Sequence, residues 1–297
     1  MTNKNILCVG NINLDELLYL EDELKEERSV TVDSVISAGG GATNTAMILS
    51  NNDNVGDVYL AGSVGMDDVG DEVIDSLHEN DIELALDRKE NGGTTYIRAI
   101  ITEEKNPQYM NEGKELMDFS DTDVHQDIWD DIDHVHITSF EKTMAEKFAL
   151  RAKEENKTLS FNPTQGYFEE SFEGVIDKAD LIQMNEQEYE TFRERYGDVR
   201  NVVQENNVDI VITYGKEGCK YYSIEGVAQH KGYYVDNVVD TVGAGDSFMA
   251  GLISAWINNE TLEDSLKVAN AHGSLSVQTK GSPESISEKE IQQLIPN

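Results

Sequence analysis

Apolar residues in this chain gather in short runs, such as Ile6-Leu7-Cys8-Val9 and Ile210-Val211-Ile212, separated by longer stretches of mixed polarity. Runs this short cannot fill a helix, and polar residues bound them, so they read as strands buried on both faces. The same reading places strands at Val58-Tyr59-Leu60, Val135-His136-Ile137, Thr158-Leu159-Ser160-Phe161 and Leu181-Ile182-Gln183-Met184. Between them, residues 41–50, 144–155, 186–196 and 247–256 carry helical patterns. Strand alternating with helix predicts an α/β fold: a mostly parallel central sheet flanked by helices. Residues 14–36 are charged and irregular, with Val30-Thr31-Val32 as a short strand. Thr94 to Thr102 is β-rich, and 103–106 would turn it into a partner strand. These two pieces predict a small accessory sheet acting as a lid. No internal repeat, low-complexity block or linker divides the chain.

Charge narrows the range of partners. Among 297 residues, 58 Asp and Glu face 23 Lys and Arg, a formal net charge of −35. Such a polyanion repels nucleic-acid phosphates and anionic lipid, and no Lys/Arg cluster provides a local exception. The acids are dispersed rather than gathered in a tail, and lysines are few. A surface of this kind suits molar salt, where screening removes the self-repulsion, and predicts the cytoplasmic protein of a halophile. Cys8 and Cys219 lack a CxxC spacing, so neither a zinc site nor a disulfide framework is indicated. No signal-peptide pattern and no 18-residue apolar stretch occurs.

The segment Asp240-Thr241-Val242-Gly243-Ala244-Gly245-Asp246 precedes one of the helical stretches. Glycines there let several N–H groups converge at a helix N-terminus, which makes an anion site. An acid beside bound anion has a purpose if it takes a proton from an attacking hydroxyl; the plainer role for Asp246 is that of a helix cap. Gly39-Gly40-Gly41-Ala42-Thr43-Asn44 likewise permits close backbone approach to a ligand, with Asn44 offering both donor and acceptor. No GxxxxGK[ST] loop is present, and no GxGxxG follows the first strand, which disfavours a Rossmann-type dehydrogenase.

These two segments, in this order, resemble the PfkB (ribokinase-like) carbohydrate kinase family. Gly10-Asn11-Ile12-Asn13-Leu14-Asp15, Asn185-Glu186-Gln187-Glu188 and Thr213-Tyr214-Gly215-Lys216-Glu217-Gly218 are similar to three further family motifs, so the likeness spans nearly the whole chain. The resemblance implies a single ribokinase-like domain over 1–297, with lid strands from about 14–36 and 92–119, and a homodimer formed through the lid. It implies an ATP-dependent kinase in which Asp246 is the base and the N–H groups of Gly243, Ala244 and Gly245 stabilise the transferring phosphoryl. Asn13, Asp15, Gly40, Gly41 and Asn44 would hold a sugar. Asn185, Thr213, Gly215, Gly218 and Asn270 would meet the nucleotide, and Glu188 would hold Mg²⁺ through water. Asp240, Val242, Ser276, Thr279, Gly281 and Ser285 match a monovalent-cation site, for K⁺.

The acceptor is less constrained. Ser139 stands where ribokinases proper carry a sugar-contacting Glu, which counts against free ribose. Tyr96, Arg98 and Ile100 share one face of the lid strand; if that face covers the sugar, Arg98 enters the pocket and reads a phosphate. The specific expectation is therefore a pentose bearing a phosphate, ribose 1-phosphate converted to ribose 1,5-bisphosphate. A nucleoside kinase, a ribokinase and a non-catalytic sugar- or nucleotide-binding protein are the alternatives. His134 and His136, two apart on a strand, could share a metal only with a further ligand.

Overall fold

The computed structural model describes residues 3–20, 32–90, 92–102, 107–112, 119–138, 141–163, 172–281 and 286–295. Its spine is β1 (Lys4–Gly10), whose side chains alternate between two cores. Leu7 and Val9 enter one core, with Trp129 and Phe148. Ile6 and Cys8 enter the other, with Leu49, Phe248 and Leu252. A strand buried on both sides needs helices over both faces, which the alternating pattern foretold.

The further elements follow in chain order: β2 (Asn13–Leu20), β3 (Val32–Gly39), α1 (Gly41–Ser50), β4 (Val55–Gly65), α2 (Asp68–Leu77), β5 (Glu83–Lys89), β6 (Thr95–Ile101) and β7 (Gln108–Glu112). Then come α3 (Gln126–Asp131), β8 (His134–Thr138), α4 (Lys142–Glu154), β9 (Thr158–Asn162), α5 (Glu173–Ile176), β10 (Leu181–Asn185), α6 (Glu186–Tyr196), α7 (Val199–Asn206) and β11 (Asp209–Thr213). The chain closes with β12 (Cys219–Ser223), β13 (Gly226–His230), α8 (Ala244–Ile257), α9 (Leu262–Ser276) and α10 (Glu288–Leu294). The large sheet has the order β13-β12-β11-β10-β9-β8-β1-β4-β5. It is parallel from β5 to β11, and β12 and β13 add an antiparallel edge. The architecture is the ribokinase-like α/β fold expected. Each of β1, β8, β9, β10 and β11 ends at the same edge, on Gly10, Thr138, Asn162, Asn185 and Thr213. Open parallel sheets bind ligands beyond such carboxyl ends.

A second sheet, β3-β2-β6-β7, forms the lid. The β2–β6 pair is parallel, although the two strands lie far apart in sequence. This sheet differs from its sequence reading in one respect. The described parts of 14–36 are not irregular: 14–20 belong to β2 and 32–36 to β3. Asp15 and Glu16 interrupt the apolar pattern of β2 because each face of this strand carries a partly buried acid, which hides the usual alternation. Val30 and Thr31 lie outside the described residues, as do 103–106, where a turn was expected.

The two histidines of β8 are core residues. His134 hydrogen-bonds to Thr158 Oγ1 and Ser160 Oγ, each at 2.8 Å, and His136 Nδ1 to Ser160 Oγ at 2.8 Å. Burial pushes both rings down to about 3, so they stay neutral.

Candidate active site

The head of α8 is shaped by glycine. Gly243 caps the helix at φ 71°, the left-handed conformation that a side chain resists. The chain therefore enters the helix abruptly, and the first-turn N–H groups face the sheet's carboxyl edge. Ala244 N–H makes a long 3.3 Å bond back to Thr241 O. Gly245 has open space beyond its Cα. Asp246 follows on the first turn, and the rest of the helix, from Ser247 to Ala255, is buried.

Asn44, on the first turn of α1 and 6% exposed, donates from Nδ2 to Asp246 Oδ2 at 2.8 Å. Both helices thus point their N-termini at one place. Burial raises the Asp246 carboxyl to about 6, against the lowering effect of the Asn44 amide. Asp15 lies within electrostatic reach of Asp246 and rises to about 7, chiefly through burial and secondarily through that charge. Its Oδ1 is buried without a hydrogen-bond partner, as expected of an atom that awaits a ligand. A Cβ on Gly39 would sit 2.0 Å from Asp15 Oδ2, and one on Gly40 (φ 96°) 2.2 Å from Asn11 O. Gly39 thus leaves room for the Asp15 carboxylate, and Gly40 for the backbone of the β1–β2 connection. Asn13 is buried beside them.

On the other side of α8's head lies a cavity of about 450 Å³, lined among others by Thr213, Gly215, Gly218, Ala244, Gly245 and Asn270. Gly218 is required at φ 94°, and a Cβ there would meet His230 O at 2.1 Å. The Asn270 amide nitrogen is already engaged, donating to Leu266 O at 2.8 Å and Cys219 Sγ at 3.0 Å, so it braces the wall of this cavity. Asn185 and Glu188 form a reciprocal cap of α6: Glu188 N donates to Asn185 Oδ1 at 2.9 Å, and Asn185 N to Glu188 Oε2 at 2.8 Å. Glu188 is only 7% exposed, and burial, with Asp246 repulsion as a minor cause, raises it to about 7. Three carboxyls with raised proton affinity around one helix N-terminus leave unneutralised negative charge. Hard oxygen donors of this kind fit Mg²⁺.

Two expectations are corrected. Directly paired residues of neighbouring strands share a face. The register pairs Asp15 with Ile97 and Ile97 with Asn111, whereas Arg98 pairs with Glu16 and with Met110. Arg98 is therefore on the face of the lid turned away from Asp15, where its Nε meets Glu16 Oε2 at 2.6 Å and its guanidinium lies over the Tyr96 ring. It does not enter the acceptor pocket. The cation site also fits poorly. Asp240 Oδ1 accepts from Val242 N at 2.8 Å, and Oδ2 accepts from Gly281 N at 2.9 Å and from Tyr19 Oη. The Ser276 carbonyl accepts from Thr279 Oγ1 at 3.0 Å. Both Asp240 oxygens and the Ser276 carbonyl thus already accept protein donors, which counts against K⁺ at these atoms. Ser285 and Ser139 lie outside the described residues.

Sequence reasoning missed Ile97, Asn111, Tyr109 and Tyr19, which share the Asp15 face of the lid. Tyr109 is 59% exposed there. The even spacing of Asp15 and Tyr19 along one strand was a signal for Tyr19; the other three depend on strand register, which local sequence does not carry.

With this geometry in place, comparison with known proteins is direct. Residues 3–289 match the profile of the pfkB family carbohydrate kinases, and the chain belongs to that family. Its members are sugar and nucleoside kinases, phosphotransferases with an alcohol acceptor. The chain is 28% identical over 280 residues to an ATP-dependent ribose-1-phosphate kinase of Halopiger xanaduensis, covering 93% of each. It superimposes on the nucleoside kinase of Methanocaldococcus jannaschii with a TM-score of 0.81, 22% identity and 99% coverage of both chains. It likewise matches the ribokinase of Arabidopsis thaliana complexed with ribose and ATP, at TM-score 0.81 and 21% identity, again over 99% of each.

Two outcomes follow from the electrostatics. A carboxyl raised in the fold supports stability below its ordinary value, and that support is lost as pH rises through the raised one. Glu188→Gln should therefore stabilise the ligand-free protein more at pH 8 than at pH 4.5, by about 1–3 kcal/mol. Urea unfolding at both pH values in constant salt measures this, and an equal effect at the two would contradict the burial of a raised acid. Arg98→Ala should cost about 0.2–1 kcal/mol of stability, as for other half-exposed pairs. It should leave kcat/KM for phosphorylated and unphosphorylated acceptors within about threefold of wild type; a loss confined to the phosphorylated one would restore Arg98 to the pocket.

Proposed function

We propose that the protein transfers the γ-phosphoryl of ATP to a primary hydroxyl of a pentose-type acceptor, with ribose 1-phosphate, phosphorylated at its 5-hydroxyl, as the specific substrate. The observation that carries the reading is the place of Asp246. It stands at the head of α8, held by Asn44, between the open carboxylate of Asp15 and the cavity lined by Thr213, Gly215 and Gly218.

In this reading the acceptor lies under the lid, its ring hydroxyls on Asp15, Asn13 and the Gly40–Gly41 backbone. The Asn44 amide holds one oxygen of Asp246, leaving the other to receive the proton of the attacking hydroxyl. The freed alkoxide attacks the γ-phosphorus, and ADP leaves toward the Gly215–Gly218 wall. The N–H groups of Gly243, Ala244 and Gly245 meet the charge that develops on the transferring phosphoryl. Mg²⁺, carried with the nucleotide and held through water by Glu188, would neutralise the phosphate oxygens. The lid excludes water that would otherwise hydrolyse ATP.

The choice of ribose 1-phosphate is supported by the likeness to the Halopiger enzyme across the whole chain. A nucleoside is the second reading, favoured by one observation: Tyr109 offers an exposed aromatic ring on the substrate face of the lid, a surface on which a flat base stacks. The opposite face of the lid leaves Val32, Ile36 and Met110 between 42% and 48% exposed around the Glu16–Arg98 pair, and a second copy of the chain would cover it. The net charge of −35 supports a working condition of molar salt.

Asp246→Asn keeps the shape and removes the proton acceptor, so kcat should fall by about 10²–10⁴ with little change in acceptor KM. In the wild type, kcat/KM should drop on the acid side of about pH 6, where Asp246 becomes protonated. A panel of ribose, ribose 1-phosphate, adenosine and fructose, assayed in molar KCl, tests the acceptor. The highest kcat/KM on adenosine or on free ribose would overturn the sugar-phosphate reading while leaving the kinase intact.

A further inference from the structure

Asp240 is fully buried in the loop that leads into α8, three residues before the Gly243 cap. A carboxylate in that position needs compensation from the groups around it. It receives Val242 N–H on Oδ1, and Gly281 N–H and the Tyr19 hydroxyl on Oδ2. The third donor differs from the other two. Val242 and Gly281 belong to the body of the enzyme, whereas Tyr19 belongs to the lid, on the face that also carries Asp15.

The surroundings are built to hold Tyr19 there. Leu17, Tyr19, Ala99 and Ile101 of the lid pack with Val242 in one apolar cluster. Lys280 lies 4.8 Å above the Tyr19 ring and pairs with Asp33 of β3, closing the contact from outside. Gly281 abuts Leu17: a Cβ there would come within 3.2 Å of Leu17 Cδ1. The loop whose conformation sets the anion-binding N–H groups is therefore shaped by lid residues on one side and by α8 on the other.

We propose that Tyr19 is a positioning residue that fastens the lid to the anion-binding loop, its hydroxyl supplying the positive charge density that a monovalent cation would otherwise bring to Asp240. Closing the lid and ordering the Gly243–Gly245 backbone are then a single event, and the enzyme does not select K⁺ over Na⁺. The proposal rests on the kinase reading for its rate measurements but not for its stability measurement.

The test compares KCl with NaCl at equal ionic strength. Wild-type kcat should agree within about twofold between the two salts, since both screen the surface charge alike. Tyr19→Phe removes a charge-assisted hydrogen bond, and kcat should fall by about 10-fold or more with acceptor KM changed far less. The variant's loss should be partly restored by K⁺ and not by Na⁺, because the freed Asp240 oxygen then accepts a cation. Its melting temperature should likewise rise more in KCl than in NaCl, a difference absent from the wild type. Leu17→Val, which loosens the same apolar cluster but keeps the hydroxyl, should lower the melting temperature without creating any K⁺ preference. Selective activation of the wild type by K⁺, or a Tyr19→Phe variant with wild-type kcat, would overturn the proposal. The wild-type comparison needs no variant, so it decides the matter even if Tyr19→Phe does not fold. Failure of all turnover, with the melting behaviour as expected, would strike the kinase reading and not the latch.

Discussion

The 2.8 Å hydrogen bond between Asn44 and Asp246 joins residues 202 positions apart, and much of the site is arranged around it. It brings two helix N-termini to one point. The partial positive charge there can hold anionic phosphates, but the same point must also keep an ionisable acid able to accept a proton. Burial raises that acid while the Asn44 amide draws it back, leaving it near 6; in the role proposed for it, Asp246 would be mostly ionised at neutral pH without being too weak a base to act. Asp15 and Glu188, raised for the same reason, flank it on the acceptor and nucleotide sides. Three carboxyls this close repel one another when ionised, and a cation at the site would relieve that repulsion.

Backbone conformation does comparable work at the margins. Gly39 makes room for the Asp15 carboxylate and Gly40 for the Asn11 carbonyl, Gly218 admits the β13 strand end, and Gly243 turns the chain into α8. At each, a methyl group would meet a backbone carbonyl or a functional carboxylate, or the left-handed turn would be lost. The glycine-rich runs visible in the sequence are therefore as much about close approach of protein to protein as about room for a ligand.

The body of the fold was legible because two-sided burial writes uniform apolar runs into β1, β8, β10 and β11. Asp246, Asn44, Thr213, Gly215 and Gly218 were legible because they sit at element ends where glycine and polar residues stand out. The lid was less so. In β6, the sets Tyr96-Arg98-Ile100 and Ile97-Ala99-Ile101 are each apolar enough to face inward, and only pairing with β2 chooses between them. Long-range register is absent from local pattern, and with it went the phase of Arg98 and the roles of Tyr19 and Tyr109. Asp240 drew attention as an expected ion ligand, but its real partner lay 221 positions away.

The parallel pairing of β2 with β6 carries a consequence for how the molecule assembles. Between these neighbours the chain must build β3, α1, β4, α2 and β5, so the β2–β3 and β6–β7 pairs can form locally but join into one sheet only when a long loop closes. Loop closure of that kind costs entropy that local contacts cannot repay, and it delays non-local pairing. The lid therefore forms on a body that is already folded and comes apart before that body does. Hydrogen exchange would find its amides opening at lower free energy than those of β1 and β8. The lid is thereby the part of the fold held in place last.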